Sequence, residues 1–384
     1  MVLAYPADPG ASWPDLPETD RRVLRELLLH GEQSRVRIAE RLGLSRTSLT
    51  RIARGLLDAG FVAEGEVQSL GTRGRPAEGL QPQQDVAHFA GVKLTGEDLY
   101  LVVTDLGATI VAEASVPLPS HDVGDVVALI ADEIDRMADP ARTIVGVGVA
   151  VAGDVVAAQA DPILHRSHFL GWDGVPLARL VTDRTGLPTT IVNDVHALAG
   201  AQHWFAGEPG GRSIAVFGVG AGIGCGVMIG DEVHQGAHGR AGRVGHTRIG
   251  GRGRRCDNGH RDCLHSFVTI PAIEHNARAG AGGYAEAVAR ARAGEPVALG
   301  ALTAAARALG AAVAETVNAF DPDVVAVMGE GIDMLDLAPE AFDQALAEFL
   351  EQGEPASVRV ERPPFHFDLY ARGAAVAVMR ELLG

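Results

Sequence analysis

The chain has 384 residues, 47% of them hydrophobic, with a formal net charge of −16, which is enough for two or three domains with full cores. No run approaches the ~18–20 apolar residues of a membrane span, and Met1 to Pro6 lacks the basic and apolar blocks of a signal peptide. A cytoplasmic protein with no membrane partner is expected, and three cysteines (Cys225, Cys256 and Cys263) are too few for a disulfide framework.

The charge is unevenly spread. Eleven arginines balance eleven acids over residues 1–82, so the remaining 22 basic and 38 acidic residues carry the whole negative balance. Acidity in the body serves solubility and leaves a neutral, arginine-bearing end free to meet nucleic acid.

Residues 1–18 hold Pro6, Pro9, Pro14 and Pro17 without periodicity and read as a flexible tail. Three helices are predicted next. Asp20–His30 aligns Val23, Leu24, Leu27 and Leu28 and stops at Gly31. Ser34 caps a second helix, Arg35–Leu42, and Ser45 caps a third, Arg46–Ala59, closed by Gly60. Ala39 is small where two helices touch, Gly43 suits a left-handed turn, and Ile38, Leu42, Leu44, Leu49 and Ile52 form a shared core. This is the spacing of a helix-turn-helix.

From Leu44 to Leu57 there is no acid and there are three arginines. Ser45, Arg46, Thr47, Ser48 and Arg51 are therefore candidate DNA contacts, arginine for guanine edges and hydroxyls for phosphate. Short apolar strands flank Gly71-Thr72-Arg73-Gly74-Arg75-Pro76, which reads as a wing. Arg73 and Arg75 suit a narrow minor groove, and Gly74 lets the backbone sit deep. Residues 19–82 are thus a predicted winged helix-turn-helix binding double-stranded operator DNA. The plainer alternatives are a three-helix bundle with a basic surface and a solvated turn.

After Pro82 the pattern becomes α/β: strands Ile144–Val151, Thr190–Val192, Ile214–Phe217 and Val324–Met328 alternate with helices. Ala298–Phe320 and Pro339–Leu350 read as long amphipathic helices. Residues 238–261 hold seven arginines against one acid, Asp257. Such a cluster suits an anionic ligand, flanking DNA, an acidic partner surface or plain solvation.

Several stretches together resemble the ROK family (repressors, open reading frames and kinases). Gly146 to Gly153 resembles its inner strand and glycine turn, Phe169-Leu170-Gly171-Trp172 its substrate-side segment, and Asn193-Asp194 its sugar site. Ala241-Gly242-Arg243-Val244-Gly245-His246 with Cys256…Cys263-Leu264 matches its signature region. Asp321 to Gly331 and Arg372-Gly373-Ala374-Ala375 resemble its adenosine-side strand and closing helix. The resemblance covers essentially the whole body. It implies a two-lobed actin-like ATPase (ribonuclease H-like) sugar kinase fold. The first lobe would span 86–205 plus 370–384, and the second, 206–369, would carry a dimerisation surface.

The departures from the family bear on function. Its kinases open with Asp-x-Gly-Gly-Thr. Here the matching stretch is Gly91-Val92-Lys93-Leu94-Thr95-Gly96-Glu97, with lysine for the acid, Thr95 for a glycine and Glu97 for the threonine. A carboxylate facing phosphates repels them, so no ATP and no catalysis are expected, although Asp194 matches the kinase base. The resemblance assigns ligand binding to Gly153, Asn193, Asp194, Arg243, His246 and His265. Arg243 and His265 stand where the family has glutamates, which points to a sugar phosphate or sugar acid. A neutral sugar bound differently, or no effector, are the alternatives. Zinc is implied at His246, Cys256 and Cys263, with Asn258 in place of a second cysteine and His260, Asp257 or His265 as a fourth ligand. The expected molecule is a repressor, dimeric or tetrameric, that senses a sugar derivative. The alternatives are a sugar kinase with a DNA-binding appendage and a ligand-independent DNA-binding platform.

Overall fold

The computed structural model describes residues 13–68, 77–140, 142–156, 162–205, 213–251 and 253–384. The chain forms two compact units, Met1–Gly210 with Tyr370–Gly384, and Gly211–Leu369.

The first unit begins with three helices, α1 (Glu18–His30), α2 (Arg35–Leu42) and α3 (Arg46–Asp58). The Ser34 and Ser45 hydroxyls accept from the Arg37 and Ser48 amides and start α2 and α3, each cap contributing about 1 kcal/mol. Gly43 closes α2 at φ 65°, ψ 31°, a left-handed conformation that glycine adopts without a Cβ penalty. Strands Val62–Gln68 and Ala77–Pro82 pair antiparallel, and the short strand Gln33–Ser34 adds to the second of them. The tip of this hairpin, including Arg73, Gly74 and Arg75, lies outside the described residues.

Behind this winged helix stands a five-stranded sheet in the spatial order Thr189–Asn193, Ile144–Val151, His88–Leu94, Asp98–Thr104, Ile110–Pro117. The first three strands run parallel and the last two continue as an antiparallel meander. Helix Asp368–Leu383 lies close against it, because a Cβ on Gly91 would sit 2.0 Å from the Ala371 carbonyl oxygen and one on Gly148 1.8 Å from that of Ala374. Leu24, Leu27, Ile52 and Leu80 of the winged helix share one continuous core with Phe89, Trp204, Met379 and Leu383.

The second unit repeats the same topology. Its sheet runs Glu232–Val233, Ile223–Ile229, Ile214–Val219, Val324–Met328, Val360–Glu361, again an antiparallel meander joined to parallel strands. Helix Pro296–Phe320 crosses its core, burying alanines such as Ala305, Ala308 and Ala312 against Phe342 and Leu346. This helix corrects the expectation that no run reaches membrane length. It has 25 residues, a window of mean hydropathy 1.7, and 67% of that window is buried. Its small alanines allow close packing on several sides, so it is less one-sided than an amphipathic surface helix.

Candidate functional sites

The exposed face of α3 carries Arg46, Thr47, Thr50, Arg51 and Arg54, while Leu49, Ile52, Ala53 and Leu56 are buried. None of these three arginines makes an ion pair among the described residues. Off this face, arginines are engaged: Arg41 meets Glu26 at 3.2 Å and Arg22 donates to the Leu42 carbonyl. Ser45 and Ser48 lie at the start of α3 with hydroxyls 2.8 Å apart. The Ser45 oxygen is already spent on capping, so its first role is to orient α3. The Thr50 hydroxyl bonds back to the Arg46 carbonyl at 2.8 Å. The result is a basic helix end of uncompensated guanidinium groups, the chemistry of a phosphate and base-edge reader.

At the other side of the first unit, Asn193 and Asp194 form the junction between strand Thr189–Asn193 and helix Asp194–Phe205. The Asn193 amide donates to the Gly153 carbonyl at 3.1 Å, and its oxygen accepts from the Val195 and His196 amides. Asn193 therefore builds the turn that presents Asp194. Gly153 is tight as well, since a Cβ there would lie 2.4 Å from the Arg166 carbonyl oxygen. Sequence reasoning missed the partner of Asp194. Lys93 Nζ donates to Asp194 Oδ2 at 2.7 Å, with side-chain exposures of 5% and 16%, and lies 5.1 Å from the Tyr370 ring centroid. Beyond Lys93 the chain turns tightly, and the Thr95 hydroxyl accepts from the Glu97 and Asp98 amides.

In the second unit, the segment Gly242–His246 clings to strand Ile223–Ile229. Cys225 donates its amide to the Gly242 carbonyl, and a Cβ on Gly242 (φ 81°) would strike the Cys225 oxygen at 1.6 Å. This places His246 beside the cysteine loop. Donor atoms of His246, Cys256, His260 and Cys263 lie within 4.8 Å of one another. Cys256 Sγ is 3.7 Å from both His246 Nδ1 and His260 Nδ1, and Cys263 Sγ is 3.8 Å from His246 Nδ1. Tetrahedral zinc with ordinary bond lengths sets such atoms roughly 3.5–3.8 Å apart, so the donor set fits. His260 is the fourth donor. Asn258 stands 3.0 Å from His246 Nε2, where it fixes the ring. Asp262 staples the loop by accepting from the Gly253 and Arg254 amides.

Burial, then the neighbouring His265, His260 and Arg243, hold the His246 imidazole below its ordinary pKa, which keeps it neutral as a ligand must be. Burial pushes the Cys263 thiol up, and takes the enclosed Cys225 to about 12. Cys225 is inert packing. His265 stacks on His246 at 5.4 Å between ring centroids, and Arg243 is exposed.

Comparison with known proteins agrees with this arrangement. Residues 89–381 match the model of the ROK family, and residues 16–63 that of a winged helix-turn-helix DNA-binding domain. The chain is 30% identical over 341 residues to a putative xylose repressor of Caldicellulosiruptor sp. (strain Rt8B.4), covering 82% of this chain and 84% of that protein. It is 26% identical to the DNA-binding transcriptional dual regulator NagC of Escherichia coli (strain K12), over 80% and 79% of the two chains. A solved ROK family transcriptional regulator, described as a homolog of the E. coli MLC protein, superposes with a TM-score of 0.80 at 23% identity, covering 96% and 97%. A ROK glucokinase from Streptomyces griseus, solved with glucose and AMPPNP, gives 0.65 at 24% over 77% of this chain and all of that one. At these identities the two structures speak for the fold alone. From the family match over most of its length and the DNA-binding module before it, the chain belongs to the ROK family and carries an N-terminal winged helix-turn-helix.

Proposed function

We propose that this protein is a cytoplasmic transcriptional repressor that binds operator DNA as a homodimer or homotetramer and senses a sugar or sugar derivative without phosphorylating it. The observation that carries this reading is the ion pair between Lys93 and Asp194. A kinase base must be free to take a hydroxyl proton. Here the carboxylate is held by a lysine that stands where kinases keep an acid, and the amides of the phosphate turn are bonded to Thr95. The names of the relatives, a xylose repressor and a regulator of transcription, support the same reading.

The route from effector to DNA reader lies within the first unit. Asp194 opens helix Asp194–Phe205, and Trp204 near its end lies 5.7 Å from the Arg25 guanidinium of α1 and 5.4 Å from that of Arg380. A hydroxyl that competes with Lys93 for Asp194 acts on one end of a rod whose other end touches the DNA-binding domain. Such a ligand changes DNA affinity only by preferring one of two states. Zinc at His246, Cys256, His260 and Cys263 would supply structural bracing of the loop bearing Arg243 and His265.

Fluorescence anisotropy of the full chain on its own upstream DNA, with a panel of sugars and a coupled ATPase assay alongside, tests the proposal. Selective binding relieved by a sugar, without ATP turnover, is expected. Sugar-dependent ATP consumption without selective DNA binding would overturn it in favour of the kinase.

A further inference from the structure

A cavity of about 310 Å³ opens beside the cysteine loop in the second unit, walled by Arg254, Arg255, Asp257, His265, His275 and Asn276 among others. Its size is at the lower end of the ~300–1,000 Å³ of small-molecule sites. Two arginines and two imidazoles face a single carboxylate, so the concave surface has a field of one sign.

The pairing of arginines elsewhere in this unit makes the cluster informative. Arg290 meets Glu286 and Glu295, Arg292 meets Asp333, Arg307 meets Glu348, and Arg362 meets Asp336. In a chain with a surplus of sixteen negative charges, acids are not in short supply. Yet the side chains of Arg255 and His275 make no hydrogen bond or ion pair among the described residues. Arg254 is fixed in place, its guanidinium 4.7 Å from the Phe267 centroid and its amide bonded to Asp262.

We propose that this cavity binds the anionic group of a phosphorylated or carboxylated monosaccharide, a site that names the effector class and rests on the sensing reading above. The planar guanidinium groups offer paired donors to an oxyanion. A neutral imidazole still has one N–H to give, so His265 and His275 serve without protonation. Asp257, the one carboxylate, accepts a sugar hydroxyl, which selects a polyol over a bare anion. Arg243, singled out from the sequence, does not line the cavity.

The test is calorimetry on the full metal-containing chain. The probes are inorganic phosphate and a panel of hexoses, N-acetylhexosamines and pentoses, each with its terminal phosphate and its aldonate. At least one sugar anion should bind about tenfold or more tighter than its neutral parent, and tighter than phosphate alone. Arg255→Gln and His275→Gln should each erase most of that advantage. Arg261→Gln, an equal charge change in the same loop but outside the cavity, should not. Metal content confirms that the variants keep the loop. The site is refuted if no anion outbinds its parent, or if Arg261→Gln weakens binding as much as Arg255→Gln. Operator binding separates the two proposals. Selective DNA binding relieved by a neutral sugar, unaffected by Arg255→Gln, removes the anion site and leaves the repressor. Anion binding without selective DNA binding does the reverse.

Discussion

Lys93 and Asp194, 101 positions apart in the chain, meet in a 2.7 Å charge-assisted hydrogen bond below the protein surface. Each is costly to bury alone and acceptable together. Lys93→Met should therefore lower stability by about 3–5 kcal/mol, because it leaves a half-buried carboxylate uncompensated. Lys93→Met combined with Asp194→Asn should lose much less than the two single changes summed. Urea denaturation of the four proteins measures this, and simple additivity would contradict the pair.

Arg46, Arg51 and Arg54 should divide by role when replaced by alanine. A residue on phosphate weakens all DNA about equally and reduces the salt slope by about one. A residue on a guanine edge costs about 1–3 kcal/mol and relaxes sequence preference at one position. Anisotropy titrations over a salt series, on operator and scrambled DNA, separate the two. Unchanged affinity for all three variants would remove α3 as the reading helix.

Trp204→Leu should keep the fold and DNA binding but blunt the effector response, since the cation–π contacts to Arg25 and Arg380 are lost at about 0.5–2 kcal/mol each. The readout is the ratio of operator affinities with and without effector. A ratio equal to that of the unaltered protein would mean that helix Asp194–Phe205 does not carry the signal.

Metal analysis should find about one zinc per chain. His260→Ala should lose it, and Asn258→Ala should weaken it about 10–100-fold by freeing the His246 ring. A chelator should lower the melting temperature of the unaltered protein but not of His260→Ala. Equal melting with and without chelator counts against a structural metal.

Gly148→Ala asks for a Cβ 1.8 Å from the Ala374 carbonyl oxygen. The helix must move off the sheet, at a cost of about 1–3 kcal/mol or more. An unchanged denaturation midpoint would show that the approach is looser than described.

Local features were the most legible from sequence. Ser34, Ser45 and Gly43 cap their helices as residue chemistry dictates, because caps and left-handed turns are decided within a few residues. The alternation that marks Ile144–Val151 and Val324–Met328 likewise needs no distant partner. What stayed hidden depends on the fold. The counter-ion of Asp194 arrives from a strand 101 residues away. The spacing of Cys256, His260 and Cys263 left three choices for a fourth ligand, and the turn between Cys256 and His260, closed by the Cys256 amide bonding to the His260 carbonyl, favours one. Composition misled for Pro296–Phe320, where alanine raises hydropathy yet is small enough to pack inside a unit on several sides.

The continuous core under the winged helix has a consequence for engineering. Phe89, Trp204, Met379 and Leu383 supply the floor on which Leu24, Leu27 and Leu80 rest. A DNA reader cut out at Pro82 would present that floor's counterpart to water as a bare apolar surface. Grafting this specificity onto another sensor thus requires transplanting the floor as well, and chimeras joined at the obvious sequence boundary should aggregate.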